Sequence, residues 1–201
     1  MSSGTDRGGR TPALLFTLVV VATLLLAPAA KATDKCGEVG GQTWTLGGSP
    51  YVVTCAVTVA AGSTLIVEAG AEVRFQAGTG MDVDGTLDVD GIPSNKVMFT
   101  SDAGSPAVNE WRSVSLRGTA TGDIYYATFQ YAETGIEVTG DATVNLFGVT
   151  ARRNWFGADV VGHGNPSLTA TNCKFIENDW IGVDVELYAA DRYSTPVVIT
   201  E

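Results

Sequence analysis

The sequence contains little histidine and few basic residues, and both shortages narrow its possible functions. Its 201 residues include one histidine and 12 lysines and arginines, against 22 aspartates and glutamates, for a net charge of −10. Nucleic-acid binding requires clustered lysines and arginines, so no nucleic-acid partner is expected. The one histidine, His163, lies in the turn-forming run 162–166, and the sequence has no nucleophile elbow. We therefore interpret His163 as an exposed turn residue rather than a member of a Ser-His-Asp site.

Cysteine is also scarce, and no two cysteines have the C-x-x-C spacing of a metal site. Because the count is odd, at least one of Cys36, Cys55 and Cys173 has no disulfide partner within the chain. Cys36 and Cys55 are near enough in sequence to form a disulfide if this part of the chain is exported to an oxidising compartment, although spacing alone leaves the connectivity open. Cys173 falls within an apolar pattern and is expected to be a small buried residue.

Only one long apolar run occurs, at Ala13–Leu26, and it is shorter than the roughly 20 residues that a spanning helix needs. A basic stretch precedes it and the small residues of 30–32 follow, which is the layout of a secretory signal over residues 1–32. The alternative is an uncleaved signal anchor, the one case in which a membrane is a partner. Residues 33–35 do not resemble the approach to a lipid-modified cysteine, so no lipid anchor is expected. We expect the protein to be secreted or attached to the cell surface.

The rest of the chain is long enough for one domain with a hydrophobic core. It is still more acidic than the whole chain, since residues 1–32 contain three basic residues and one acidic residue. No amphipathic helix pattern occurs after residue 33. We assign 33–48, which is glycine-rich, to an N-terminal cap over the first coil and 49–201 to a repeat domain.

A repeat of eight residues organises the first half of this domain. Ala-Gly pairs recur at this spacing, and triplets with apolar ends lie between them: Val57–Val59, Leu65–Val67, Val73–Phe75 and Met81–Val83. Such a triplet is a short strand with alternating faces, and the glycine after it permits a bend. Strands this short become buried only by stacking on equivalent strands of neighbouring turns. Three units make a coil of about two dozen residues, the size of a solenoid repeat.

A longer period appears in the second half. The glycine-led segments Gly135–Val138, Gly157–Val160 and Gly182–Val185 begin 22 and 25 residues apart, with supporting strands at 144–146 and 168–170. Unequal spacing is expected where insertions enter at corners while the stacked strands keep their register. The sequence therefore predicts an all-β solenoid.

Several of these segments resemble a known group of proteins. The runs 49–53, 62–65, 68–73, 85–87 and 97–101 resemble the opening coils of secreted proteins of the pectate-lyase-like superfamily, and 111–114, 126–132 and 172–178 resemble its later coils. The resemblance implies a single-stranded right-handed parallel β-helix with coils of about 22–25 residues and three short strands each. That superfamily includes polysaccharide lyases and hydrolases alongside surface proteins without known catalysis, so the resemblance is informative about fold rather than activity.

The predicted register aligns Glu137, Asp159 and Asp184 in one outward file. Ionised carboxylates on adjacent rungs repel one another unless a cation, an arginine or raised pKa values relieve them. Calcium would neutralise such a file, and Arg152 and Arg153, just before the middle rung, could supply a cation or the base of an eliminating lyase. The alternative is that the three carboxylates are solvated side chains on the face of an acidic protein.

Other polar and aromatic residues allow a structural and a functional interpretation. The Asp-Val-Asp-Gly repeat at 81–91 suggests calcium, but its spacing is not that of an EF-hand, and we expect outward, solvated aspartates. Asn154 and Asn178 precede two of the glycine-led segments and are expected to form hydrogen bonds along the stacked turns. The aromatic residues could stack on sugars or fill the core: Trp44, Trp111, Trp155, Trp180, Tyr125 and Tyr131.

The sequence thus favours a non-catalytic extracellular or cell-surface β-helix protein that binds a glycan, a metal ion or a protein. A polysaccharide lyase or glycoside hydrolase that uses the file of carboxylates is the alternative, and a structural stalk of a surface layer is a second. The final apolar strand, 197–201, has no evident cap. We expect further coils or a partner chain, such as a second copy, to cover it.

Overall fold

A computed structural model of the protein describes residues 1, 31–162, 164–187 and 197–201. Almost all of the expected signal at 1–32, and His163, lie outside the described residues. Within the described ranges, no helix is long and apolar enough to cross a membrane.

The described chain consists almost entirely of short strands. Its helical structure is limited to a three-residue 3₁₀ turn at Leu46–Gly48. The strands are β1 Thr33–Glu38, β2 Thr43–Trp44, β3 Tyr51–Val59, β4 Thr64–Glu68, β5 Glu72–Phe75, β6 Met81–Val83, β7 Thr86–Asp90, β8 Val97–Ser101, β9 Trp111–Leu116, β10 Thr121–Tyr125, β11 Ala127–Gln130, β12 Ala132–Thr139, β13 Thr143–Phe147, β14 Thr150–Arg152, β15 Phe156–Gly162, β16 Ser167–Thr171, β17 Lys174–Ile176, β18 Ile181–Leu187 and β19 Val197–Thr200.

The strands form three parallel stacks. The first contains the start of β3 followed by β5, β8, β11, β14 and β17, and the second contains the end of β3 followed by β6, β9, β12, β15 and β18. The third runs from β2 through β4, β7, β10, β13 and β16 to β19. One passage through the three stacks completes a turn, and there are about six turns. The predicted all-β class and right-handed parallel β-helix are confirmed.

The alternation within each short strand builds the core. The apolar ends of the triplets in the eight-residue repeat are buried, whereas their middle residues are partly exposed. Larger rings stack between turns, with ring centroids 4.2 Å apart for Phe75 and Trp111 and 4.6 Å apart for Phe99 and Phe129. Each buried side chain of this size stabilises the fold by about 1.5–3 kcal/mol. The buried side chains of successive turns form one cluster, so the core is a continuous column.

The corners use glycine and asparagine as the sequence predicts. Gly62, Gly70 and Gly78, which follow the apolar triplets, adopt φ of 79°, 80° and 72°, a region that a side chain disfavours. Asn154 is fully buried, and its Oδ1 accepts a hydrogen bond from the backbone N–H of Ala132 at 2.9 Å. Its Nδ2 donates to Asn178 Oδ1 at 3.2 Å, so the two amides link successive turns.

The first turn is covered by β1 and β2, which pair with β3 and β4. A disulfide joins Cys36 in β1 to Cys55 in β3. Trp44 is buried, and its ring stacks on Tyr51 with centroids 4.9 Å apart. Cys173 is a free thiol that packs against the core but remains partly exposed, because it lies at a corner of the last described turn.

Candidate functional site

The outer face of the second stack gathers the acidic file that the glycine spacing predicts. Glu137 in β12 is opposite Asp159 in β15, and Asp159 is opposite Asp184 in β18. We call these three residues the acidic ladder. Adjacent parallel strands lie about 4.7–4.9 Å apart, so each carboxylate has another one rung away.

The same file continues toward the N-terminus. Ser115 in β9 is opposite Glu137, and Asp82 in β6 is opposite Ser115. In the sequence, Asp82 belongs to the separate Asp-Val-Asp-Gly repeat at 81–91. The sequence does contain a signal that aligns Ser115 with Glu137. The triplet 114–116 begins 22 residues before 136–138, and the first two glycine-led segments have the same spacing. The ladder is therefore one end of a longer polar file.

Two arginines pair with the aspartates at the other end of this file. Arg117 Nε and Nη2 donate to the two carboxylate oxygens of Asp84 at 3.1 and 2.9 Å, and its Nη1 lies 3.4 Å from Asp82 Oδ2. Arg112 Nη2 lies 3.5 Å from Asp82 Oδ1. The hydrogen bond to Asp84 is the main cause that raises the pKa of Arg117. Asp82 and Asp84 stay partly exposed, as expected, but they are paired rather than simply solvated, because arginine side chains of β9 and of the corner after it reach them.

A groove of about 500 Å³ lies over this face. Arg112 and Arg117 line its arginine end, and Glu133, Glu137 and Asp159 line its acidic end. Phe156, Thr134 and Ser115 also contribute to the lining, which adds an aromatic ring and two hydroxyls. The groove therefore offers charged, hydroxyl and aromatic groups to one ligand.

Asp159 is the most perturbed carboxyl of the groove. Burial, followed by the charges of Asp184, Glu137 and Glu186, raises its pKa to about 6. Among the described residues, its Oδ1 is the buried side-chain oxygen without a hydrogen-bond partner. A buried, unpartnered carboxylate oxygen is costly, so this side chain gains from a proton or from a positively charged ligand.

Arg152 and Arg153 do not line the groove. Arg152 is in β14 of the first stack, where its Nε donates to Gln130 Oε1 at 3.1 Å. Arg153 is at the following corner and donates to Glu177 Oε2 at 3.1 Å and to the Tyr131 hydroxyl at 3.3 Å. Both guanidinium groups therefore have partners away from the acidic ladder.

The aromatic candidates separate into core and surface residues. Trp44 and Trp111 are buried, and Tyr131 packs partly against the core. Trp155 and Trp180 stack on each other with centroids 5.6 Å apart and an interplanar angle of 6°, while 39% and 63% of their surfaces stay exposed. We call them the tryptophan pair.

The tryptophan pair lies at the corner that precedes the second stack. Trp155 immediately precedes Phe156, which lines the groove and is opposite Thr134 of the neighbouring turn. Trp180 immediately precedes Ile181, which is opposite Phe156 on the other side. Tyr125, by contrast, ends a strand of the third stack, on a different face.

The carboxylates of the ladder form a file rather than a cage. Nowhere in the described part of the chain do three or more His, Cys, Asp or Glu residues form a group that could hold a metal ion. Calcium takes six to eight oxygen ligands around one point, which one carboxylate per turn does not provide. The arrangement suits a ligand that extends along the file.

Comparison of the chain with protein-family models, curated proteins and solved structures finds no match. The β-helix is therefore established by its strand pairing. Because one fold supports many activities, function has to be inferred from the groove and the residues around it.

Proposed function

We propose that this protein is a secreted or cell-surface β-helix protein that binds a glycan along the second stack without cleaving it. The tryptophan pair, at the corner that precedes this stack, is the observation that carries the proposal. Indole rings offer a large apolar face to the C–H surface of a sugar, and charged and hydroxyl groups offer hydrogen bonds to its edges. Both kinds of surface occur on the turn that contains Trp155, Phe156 and Asp159.

Exposure of the tryptophan pair supports a binding role. Two stacked rings that leave 39% and 63% of their surfaces in water keep apolar area unburied, although the same chain buries Trp44 and Trp111. A ligand that covers them would recover that hydrophobic free energy. The signal-like N-terminus and the resemblance to the pectate-lyase-like superfamily support an extracellular polysaccharide as the ligand.

The shape of the groove supports binding rather than catalysis. The connections from the second to the third stack beside it, residues 117–120 and 140–142, are short, and of the connections that enter the second stack only 102–110, before β9, is long. A cleft that excludes water from a reacting bond needs higher walls. An open groove on a rigid face suits an extended chain of sugars.

The proposal is tested by titration calorimetry with four hexasaccharides, those of glucose, galacturonate, N-acetylglucosamine and glucosamine. We expect at least one to bind the parent protein and the double variant Trp155→Ala/Trp180→Ala to bind it about tenfold more weakly or worse. Tyr125→Ala is the matched control, since Tyr125 is 43% exposed on another face. Undiminished binding by the tryptophan variant, or no binding of any oligosaccharide by the parent, would contradict the proposal.

A second candidate function is a glycoside hydrolase, favoured by the pKa of Asp159. A carboxyl whose pKa is raised to about 6, one rung away from a second carboxyl, Glu137, resembles the proton donor of a pair of carboxyl groups. The two strands lie about 4.8 Å apart, so their carboxyl groups are close enough to act on one glycosidic bond. Reducing ends released by the parent, and lost in Asp159→Asn and Glu137→Gln, would establish this activity. No release between pH 4 and pH 8 would exclude it for the substrates tested.

A further inference from the structure

We propose that the groove selects a saccharide that carries free primary amines, with an ammonium group at the acidic ladder and a sugar ring against the tryptophan pair. This inference depends on the proposed glycan binding and adds the chemical class of the ligand. Its chemistry is that of an unacetylated amino-sugar chain.

The salt bridges of the groove are confined to one end. Arg117 and Arg112 are paired with Asp84 and Asp82 at 2.9–3.5 Å. Within the described ranges, none of the other acidic groups on this face forms a salt bridge: Glu133, Glu137, Asp159 and Asp184. The acidic end therefore keeps an excess of negative charge, which excludes a uronate there and attracts a cation.

Asp159 gives that attraction a location. It lines the groove and has a carboxylate on each neighbouring rung. Its Oδ1 is closed to solvent and accepts no hydrogen bond, so a ligand in the groove meets this carboxylate through its other oxygen. A neutral hydroxyl can donate one hydrogen bond but leaves the repulsion between the three carboxylates unchanged. An ammonium group brings a compact positive charge with three donors, so it relieves the repulsion and pairs with more than one carboxylate.

A metal ion is less well matched to the same residues. The carboxylates lie in a file, and no group of three or more is placed to hold an ion in the described part of the protein. Amines repeated along a chain, in contrast, need only one carboxylate or two at each contact. An extended polyamine therefore fits the file better than a single multivalent ion does.

The tryptophan pair distinguishes a saccharide from a simple polyamine. Trp155 immediately precedes Phe156, which lines the groove, and the pair belongs to the two turns that carry Asp159 and Asp184. Indole faces attract ammonium groups within about 6 Å and also pack on the C–H face of a sugar. An amino sugar uses both interactions, whereas an aliphatic polyamine uses mainly the first.

The experiment compares three probes at pH 7 by titration calorimetry: a glucosamine hexamer, the N-acetylglucosamine hexamer and spermine. We expect the glucosamine hexamer to bind at least about tenfold more tightly than either of the others. Asp159→Asn should weaken glucosamine binding by about tenfold and reduce the preference for glucosamine over N-acetylglucosamine by a similar factor. Asp34→Asn, at an exposed position of β1, is the control and should change neither.

The outcomes separate this inference from the proposed function. Equal affinity for the two hexamers, lost in the tryptophan variant, would overturn the amine selectivity and leave glycan binding intact. Spermine binding as tight as the glucosamine hexamer would replace the saccharide with a simple polycation. No binding of either hexamer by the folded parent would overturn this inference, whereas Trp-dependent binding of a glucose or galacturonate hexamer would still support the proposed function. Unfolding curves of Asp159→Asn and of Trp155→Ala/Trp180→Ala verify that the turns of both variants remain folded.

Discussion

Replacing Asp159 with asparagine should make the protein more stable at neutral pH. Burial and the neighbouring carboxylates raise the pKa of Asp159 from 3.8 to about 6, so the folded state binds its proton more tightly than the unfolded state does. The ionised carboxylate therefore destabilises the fold above pH 6. That penalty is lost as the pH falls to about 4, where both states are protonated. Asparagine has nearly the same shape and no charge at any pH.

The magnitude follows from the size of the shift. About two pKa units at 1.36 kcal/mol each give an upper bound of about 3 kcal/mol. Because the side chain is only half-buried, solvent screening reduces this to about 1–2 kcal/mol at pH 7–8. We expect Asp159→Asn to gain this much in the free energy of unfolding at pH 8, less at pH 6 and little of it near pH 4.

Urea unfolding of the parent and of Asp159→Asn at five pH values from 4 to 8 measures this difference. Asp34→Asn, on the exposed edge of β1, is the control and should change stability by less than about 0.5 kcal/mol. A gain of equal size at every pH would show that packing, not charge, is responsible. A loss of stability at pH 8 would refute the reasoning, since it would mean that the ionised carboxylate is favourable in the folded state.

Two further substitutions test the stacking of the turns, again by the free energy of unfolding. Asn154→Ala removes buried hydrogen bonds to the backbone of the preceding turn and should cost about 3 kcal/mol. Asn145→Ala, at an exposed site, is the control and should cost less than about 1 kcal/mol. Equal costs would contradict the structural role of Asn154 at the corner. Gly157→Ala sets a methyl group against the carbonyl oxygen of Gly182 and should cost more than about 2 kcal/mol, whereas Gly104→Ala, where the space is open, should be nearly neutral. A tolerated Gly157→Ala would show that the turns separate easily.

The repeats made the fold and part of the site predictable. Since a β-strand alternates its side chains, one glycine-led segment identifies which residue is outward, and its recurrence identifies the partner on the next turn. Glu137, Asp159 and Asp184 were aligned in this way, and the pairing of their strands agrees. The corner asparagines were predicted for the same reason, because a buried amide at a repeated corner has backbone groups of the adjacent turn within reach.

Other members of the groove were missed because they come from irregular segments. The segment 102–110 lengthens the turn that contains Arg112 and Arg117, so the eight-residue count no longer indicates which strand these arginines flank. Arg152 and Arg153 illustrate the opposite problem. They are close to Asp159 in sequence, but Arg152 ends a strand of the first stack and Arg153 lies at the corner that follows. Asp159 is on the next strand, which belongs to the second stack.

The sequence by itself determined the short strands, their parallel stacking and the outward direction of the acidic ladder, because all three depend on a local period. Only the tertiary structure decided which charges neutralise one another. Arg117 reaches Asp84 from 33 residues away, while Asp159 is left with a buried oxygen and no partner. The strength of an ion pair and the cost of burying a charge depend on distance and on access to water, and the linear order of residues contains neither quantity.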